Sequence, residues 1–332
     1  MAVSELGGVV ELEGWERVPE QPLPSRVLSG ILRFARAKPL GAFCGFVVIF
    51  FMIIGDLVPE TLNKASSLAG LGTPAPYLAD VLEKNTTVVY PYFQDSLRDR
   101  LEGSSLNHLL GTDPTGRDLF SRILFGARTA VMVSFGAVFI SQAIASAIGI
   151  ASGYYGGLAD KLAYRVVDVF TALPGLVVLI TVLGVFGSGL WQLILVLGVY
   201  GGPLNSRVLR GQTIYIMASP FIDAARVMGA SDRRIMLRYV LPNVFPLIIL
   251  AATVQLGFIV LLEATLSFLG YGLPEPYPSW GRMLSLDGRN YMRAHPGLAI
   301  YPGVAIALLV FSFNLFGDAL RDVLDPRLRG SR

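Results

Sequence analysis

The chain predicts an all-α membrane protein with six transmembrane helices and both ends in the cytoplasm. Three observations carry that expectation. Of 332 residues, 53% are apolar and only 15% charged, with a mean hydropathy of +0.58; a soluble domain carries about 25% charge. The charge-free runs are long enough to cross hydrocarbon, and the arginines gather in particular loops. The same composition excludes a disordered chain, which needs low hydrophobicity and high charge. A single cysteine excludes a disulfide scaffold. A net charge of +3, with the basic residues scattered among apolar runs, speaks against nucleic acid as a partner. The lipid bilayer is the partner the composition implies.

A spanning helix needs roughly 17–25 mostly apolar residues. The first such run is Pro39 to Gly55, within an expected first helix over 39–57 that follows a cytoplasmic arm, 1–38. With 38 residues before it and no small-residue cleavage site closely after it, this first span is not expected to be a cleaved signal peptide. Thr129 to Ala159 gives the second span, its tail Gly153 to Gly157 reading as a turn. Val169 to Ser206 holds 38 residues without a charge. As one helix that run would be about 57 Å long, so it must fold back, with Gly187-Ser188-Gly189 as the hairpin. Val240 to Leu262 and Pro296 to Gly317 complete the set.

Orientation follows from Lys and Arg in short loops. The segment 203–243 holds six arginines (Arg207, Arg210, Arg226, Arg233, Arg234, Arg238) against two acids and is placed in the cytoplasm. Arg26, Arg33, Arg36 and Lys38 before the first span agree, as do Arg321, Arg327, Arg329 and Arg332 in the tail 319–332. Arg117, Arg122 and Arg128 fall on the opposite side, just before the second span, the first two inside the long loop 58–126 and Arg128 at its end. Long loops cross largely regardless of charge, and Asp113 and Asp118 offset these arginines. Part of that loop, 58–106, is either a small external subdomain or a loose connection. The loop Ser267 to His295 is rich in Gly, Pro and aromatics and suits an interfacial or re-entrant turn, with Tyr277 and Trp280 at headgroup depth.

The chemistry sits between spans four and five. An alanine-bearing helix runs up to Gly229, a good helix stop. Ser231 and Asp232 can cap a second short helix with arginines on its exposed side, and Leu241-Pro242-Asn243 ends it at the membrane. The product is a helical hairpin on the inner face, small on one side and basic on the other. It suits either anionic lipid or the close approach of another protein.

Here the sequence resembles a known family. Asp223-Ala224-Ala225, three residues, Gly229, nine residues, Tyr239, one residue, Leu241-Pro242 is similar to the cytoplasmic loop signature of ABC importer permeases. That signature is written with Glu at the first position and Ile where Tyr239 stands. Leu110-Gly-Thr-Asp-Pro-Thr-Gly-Arg-Asp118, Glu263-Ala-Thr-Leu-Ser-Phe-Leu-Gly-Tyr-Gly272, Pro278-Ser-Trp-Gly-Arg282 and Phe316-Gly-Asp-Ala-Leu-Arg-Asp-Val-Leu-Asp-Pro-Arg327 resemble the oligopeptide/dipeptide (nickel) permease C family, in order along the chain.

The resemblance implies the type I ABC importer permease fold, with a five-helix core over 127–318 and a coupling loop over 203–243. It implies a multi-pass subunit of the bacterial inner membrane that forms half of a peptide pathway, paired with a homologous second permease as a heterodimer. An extracytoplasmic substrate-binding protein and two cytoplasmic ATPases, which use ATP and Mg, complete the importer. Nickel, oligosaccharide or another solute are the alternatives. Asp223, Ala224, Ala225, Arg226, Gly229, Ala230, Ser231, Asp232, Arg233, Leu241 and Pro242 would form the loop that meets the ATPase.

The chain itself is expected to bind no cofactor or metal and to catalyse nothing. It has no Gly-x-x-x-x-Gly-Lys-Ser/Thr, its four lysines never follow a glycine, and His108, His295 and Cys44 are far apart. A stand-alone secondary transporter would place coupling-ion residues at mid-membrane, where this chain has almost no ionisable group. Glu263, near the outer end of span five, either shapes an outer gate or is an interfacial residue bonded locally. Asn314 in span six suits a bond across helices. Pro174-Gly175 breaks span three as a hinge or a fixed kink. Asp168 reads as an interface pair with Arg165. Gly149 and Gly153, with Gly157 beyond, mark close helix packing.

Overall fold

Charge-free backbone has few ways to satisfy its hydrogen bonds in lipid, and among the described residues every regular segment is a helix. The structure is a computed structural model that describes residue 35 and residues 38–50, 96–275 and 277–324. The chain divides between Pro39 and Leu40. The first unit, the expected arm, lies almost wholly outside the described residues, as do 51–95 of the outer loop and the tail from 325. The second unit holds the helical bundle.

Helix α1 covers Pro39–Phe50. After a short turn of 3-10 helix, Leu97–Asp99, come α2 (Leu119–Tyr155), α3 (Gly157–Ala172), α4 (Gly175–Phe186) and α5 (Leu190–Met217). The cytoplasmic segment comes next, as α6 (Pro220–Val227) and α7 (Asp232–Ile235). A wide π turn, Met236–Val240, then leads into α8 (Leu241–Phe268). On the other side lie α9 (Trp280–Met283), a second π turn and α10 (Arg289–Tyr291), before α11 (Gly297–Leu324) returns.

α2, the continuous run Asp232–Phe268 and α11 are long and apolar enough to span, and the bent pair α3–α4 adds a fourth. α5, with 28 residues, is about 42 Å long, but Gln192, Tyr200, Gly201-Gly202-Pro203 and Asn205 make it less apolar.

The hairpin falls where expected, at 187–189, because one span cannot use 38 uncharged residues. Three expectations need correcting. α2 begins at Leu119, ten residues before Thr129. The Asp118 carboxylate caps it by accepting from the Ser121 N–H at 2.8 Å, and Arg122 is held by acids outside the helix. The expected turn Gly153–Gly157 is helical as far as Tyr155, and the break comes at Gly156, where φ is +60°. Leu241-Pro242 does not end a helix. The π turn just before it widens the backbone where a proline ring would clash with the carbonyl four residues earlier, so the chain runs on from Asp232 to Phe268.

Pro174 breaks span three as expected, and α3 and α4 meet at 88°. α2 and α5 pack through small residues. A Cβ on Gly149 would lie 2.7 Å from the Ser206 carbonyl, and one on Gly153 2.8 Å from the Thr213 Cβ. From the opposite side Gly202 receives Ile144 at 2.6 Å. Such contacts replace the hydrophobic drive that lipid does not supply between helices. Gly157 takes no part, lying in open space at φ +56°.

Two apolar clusters result. One fills the outer part of the bundle. The other, at the cytoplasmic end, joins Ala145 and Ile150 of α2, Leu209 and Ile216 of α5, Ile222 of α6, Ile235 of α7 and Val244 of α8.

Candidate functional site

The cytoplasmic hairpin is built onto that second cluster. α6 opens with Pro220 at its first turn, where the missing N–H costs nothing. Its inward face is Ile222 and Ala225, both buried, and Ile222 packs in that cluster with residues of α2, α5 and α8. The outward face presents Ala224, Val227 and Met228, the last two 89% and 76% exposed. Ala225 therefore keys the helix to the bundle, and of the two alanines only Ala224 is on offer to a partner.

Gly229 stops the helix in the left-handed region, φ +78°, while the N–H of Ala230 donates back to the Ala225 carbonyl at 3.0 Å. Ser231 occupies the N-cap of α7 without a side-chain bond. The Asp232 carboxylate instead accepts from the Tyr154 hydroxyl at 2.6 Å, tying the hairpin to the end of α2. Asp223 and Arg226 pair at 3.3 Å on the surface. Arg233 and Arg234 of α7 and Arg238 of the π turn are exposed, as is Pro242, while Leu241 is half-buried. The hairpin carries no catalytic constellation. It can transmit a push, because a short helix wedged by two buried side chains moves with the spans that hold it.

The other candidates are not brought together with it. Glu263 is buried, its Oε1 accepting from Ser267 Oγ at 2.7 Å and Ser279 Oγ at 3.0 Å. It fastens the loop after α8 to its own helix. Gly281 makes that return possible, since a Cβ there would overlap the Ala264 carbonyl. Asn314 is exposed beside Gly257 of α8 and makes no side-chain hydrogen bond among the described residues. Asp168 pairs with Arg207 of α5 at 2.7 Å rather than with Arg165. Trp280, expected at headgroup depth, is buried and donates from Nε1 to the Ile123 carbonyl of α2 at 2.9 Å, while Tyr277 is 51% exposed. A ring with one N–H donor gains more by filling the gap over Gly126, and bonding there, than by lying at the surface.

Two polar constellations were not anticipated. On the outer face the Asp113 carboxylate accepts from Thr115 N at 2.8 Å, Thr115 Oγ1 at 2.7 Å, Arg117 N at 3.0 Å and Arg117 Nε at 2.7 Å, with Arg122 Nε at 3.5 Å. Asp113, Arg117 and Arg122 are all buried. Burial alone would raise the Asp113 pKa, but its bonds to Thr115 and Arg117 and the two guanidinium charges hold it below the usual carboxylate value. Asp287 nearby is pushed up to about 6 by burial and by the Asp113 charge, with Arg122 and Arg117 opposing. His108 Nδ1 meets Asp118 at 3.0 Å.

The second constellation lies among the spans. Gln142 donates to Gln255 at 2.8 Å and Gln255 to Ser141 Oγ at 2.7 Å, joining α2 to α8, while Asn205 of α5 approaches the same hydroxyl at 3.5 Å. The signals were present: an alternation of acid and base within a Gly-Thr-Asp-Pro-Thr-Gly turn, and amides inside otherwise apolar runs.

Residues 145–330 match a family described as the inner membrane component of binding-protein-dependent transport systems. Over 232 residues the chain is 40% identical to the glutathione transport system permease protein GsiD of Pectobacterium atrosepticum, covering 70% of this chain and 77% of that one. It is 42% identical over 228 residues to the protein of the same name from Escherichia coli O1:K1, covering 69% and 75%. Among solved structures it is similar to the inward-facing MetNI methionine ABC transporter. The TM-score is 0.50 and the identity 20%, over 61% of this chain and 96% of that one. The fold expected from the family resemblance is the fold observed.

Proposed function

From the premise that the chain belongs to the family of inner membrane components of binding-protein-dependent transport systems, we propose that it forms half of a peptide pathway, with α6 as the coupling helix. The chain is a multi-pass, non-catalytic permease subunit of an ABC importer in the bacterial inner membrane. The family implies ATPase, binding-protein and second-permease partners. In the proposed assembly the second permease is homologous, so the pathway is a heterodimer. Two cytoplasmic ATPases consume ATP with Mg, and an extracytoplasmic protein delivers the substrate. Residues 127–318 form the core around that pathway, and 203–243 the loop that reaches the ATPase. Glutathione is a tripeptide, and the relatives named for it support a peptide-sized substrate.

The observation that carries the reading is the two-faced build of α6. Ile222 packs it into the cluster with three spans and Ala225 is buried, while Ala224, Val227 and Met228 face outward without charge. Closure of an ATPase against that face is carried to α2, α5 and α8 together. Arg226, Arg233 and Arg234 add exposed cations for acids on the ATPase, each contributing up to about 1 kcal/mol. Within the same proposal Asn314 lines the pathway or the contact with the second permease. Pro174 sets the direction of α4, and Glu263 is a positioning residue for the outer loop.

The test is a cross-link. In a Cys44→Ser background, Met228→Cys should form a disulfide with a cysteine placed in the ATPase cleft, and hydrolysis should stop until reductant is added. No cross-link at any cleft position, in an assembled complex, sinks the proposal.

A further inference from the structure

We propose that Tyr154 is a positioning residue for coupling: it ties the inner end of α2 to the hairpin, so that an ATP-driven shift of α6 reaches the outer loop through α2. The inference rests on α6 being the coupling helix. Tyr154 stands in the last turn of α2, and its hydroxyl donates to the Asp232 carboxylate at 2.6 Å. Asp232 opens the continuous helical run to Phe268. It lies just past Gly229, where φ is +78° and α6 has ended. The bond therefore clasps the inner ends of two helical runs, each of 37 residues, directly beyond the joint on which α6 turns.

The apolar contacts at this end lack that direction. Ala145 and Ile150 of α2 share a cluster with Ile222, Ile235 and Val244, and the Tyr154 ring packs against it. Apolar burial is non-directional, so the cluster holds the helices together without fixing their register. A hydrogen bond to an ionised acceptor is short and aligned. Further along, Gln142 donates to Gln255 at 2.8 Å and joins the same two runs. Two rods joined at one point pivot about it, and joined at two points they move as one body. Tyr154 and Asp232 supply the second point, the one at the hairpin. Asp232 is exposed, so water competes for the bond; what the bond fixes is position more than stability. α2 then carries the motion outward. From Tyr154 to Ile123 it rises about 47 Å. At that end the Ile123 carbonyl accepts from Trp280 Nε1 at 2.9 Å, and the Leu119 N–H donates to the Gly111 carbonyl of the outer loop at 3.0 Å.

The experiment uses the assembled, reconstituted importer in a Cys44→Ser background, which removes the one cysteine of this chain. Leu109→Cys, at a position 46% exposed in the loop that leads into α2, is labelled with a maleimide before and after ATP, vanadate and the binding protein are added. In this parent the labelling rate should change on addition. In Tyr154→Phe the change should be at least about fivefold smaller, the low end of coupling between sites, with a thermal midpoint close to the parent's because the ring is kept. Asp232→Asn retains an acceptor and should respond like the parent. Asp232→Ala should match Tyr154→Phe, and the double variant should lose no more than either alone. Asp232→Ala decides the matter if the Tyr154 variant does not assemble. An undiminished change in assembled Tyr154→Phe or Asp232→Ala overturns the proposal, as does a parent whose outer cysteine does not respond at all. The Met228→Cys cross-link, formed in the same complexes, separates the two levels. If it forms while the Tyr154 variant responds normally, only this inference falls; if it forms in no complex, the coupling reading itself falls.

Discussion

The two ends of the bundle use arginine in opposite ways. At the outer end Arg117 and Arg122 are buried and turned onto Asp113, so their charge is countered within the fold rather than presented to solvent. At the cytoplasmic end Arg226, Arg233, Arg234 and Arg238 stand exposed along the hairpin, and the acid on α6, Asp223, is itself 70% exposed. The outer network holds a loop in place, and the inner arginines face solvent. A count of arginines per loop cannot see this difference. That is why Arg117 and Arg122 conflict with the charge rule for orientation although the topology it gives is coherent.

The contrast is broken most severely at Asp113. Asp113→Ala leaves two buried guanidinium groups without their main counter-charge, and removing one partner of a buried pair costs about 3–5 kcal/mol. Recovery of folded complex and its thermal midpoint should fall sharply. The matching change on the other side, Asp223→Ala, should alter the midpoint by no more than about 0.5 kcal/mol in stability. Equal effects would erase the distinction between the ends.

A core contact gives the next largest effect. Gly153→Leu forces a side chain into Thr213 across the α2–α5 contact, where overpacking costs typically about 1–3 kcal/mol. Reduced stability with normal ATPase contact in the surviving complex is expected.

A smaller effect is pH-dependent. The Asp287 carboxyl is raised in the fold to about 6, above its unfolded value of about 4. The native state therefore binds the proton more tightly, and Asp287 favours folding more as pH falls from about 6 toward 4. Ionised above pH 6, it opposes the fold. Asp287→Asn should raise the thermal midpoint at pH 7.5 and lose that advantage near pH 4. Asp113 has the opposite sign, its stabilisation fading only as pH falls below the usual carboxylate range. A midpoint for Asp287→Asn below wild type at pH 7.5 would reverse the reading. Smallest of all, Arg226→Ala removes an exposed pair and should shift stability by about 0.3–0.5 kcal/mol, visible in calorimetry of the complex if at all.

Much of the fold was legible because it follows from length. The uncharged run 169–206 had to turn back, and Gly187 to Gly189 was the place to do it. Gly229 was legible as a helix stop because its position requires a positive φ. What escaped depends on tertiary neighbours. Whether Ala224 or Ala225 faces inward on an eight-residue helix depends on where the cluster that receives Ile222 lies. The partner of Glu263, Ser279, lies sixteen residues away and meets it only when the loop folds back over Gly281. The early start of α2 needed Asp113 to be placed beside Arg122. Pro242 looked like a stop because local pattern does not show a π turn.

The central claim is that the exposed face of α6 couples the spans to an ATPase. The direct measurement is binding-protein-stimulated ATP hydrolysis and substrate uptake by the reconstituted importer carrying Ala224→Glu, read beside its thermal midpoint. Ala224 is exposed and makes no buried contact, so the account predicts normal assembly and midpoint with stimulated hydrolysis and uptake both lost. A stable Ala224→Glu importer with wild-type uptake and stimulation would contradict it.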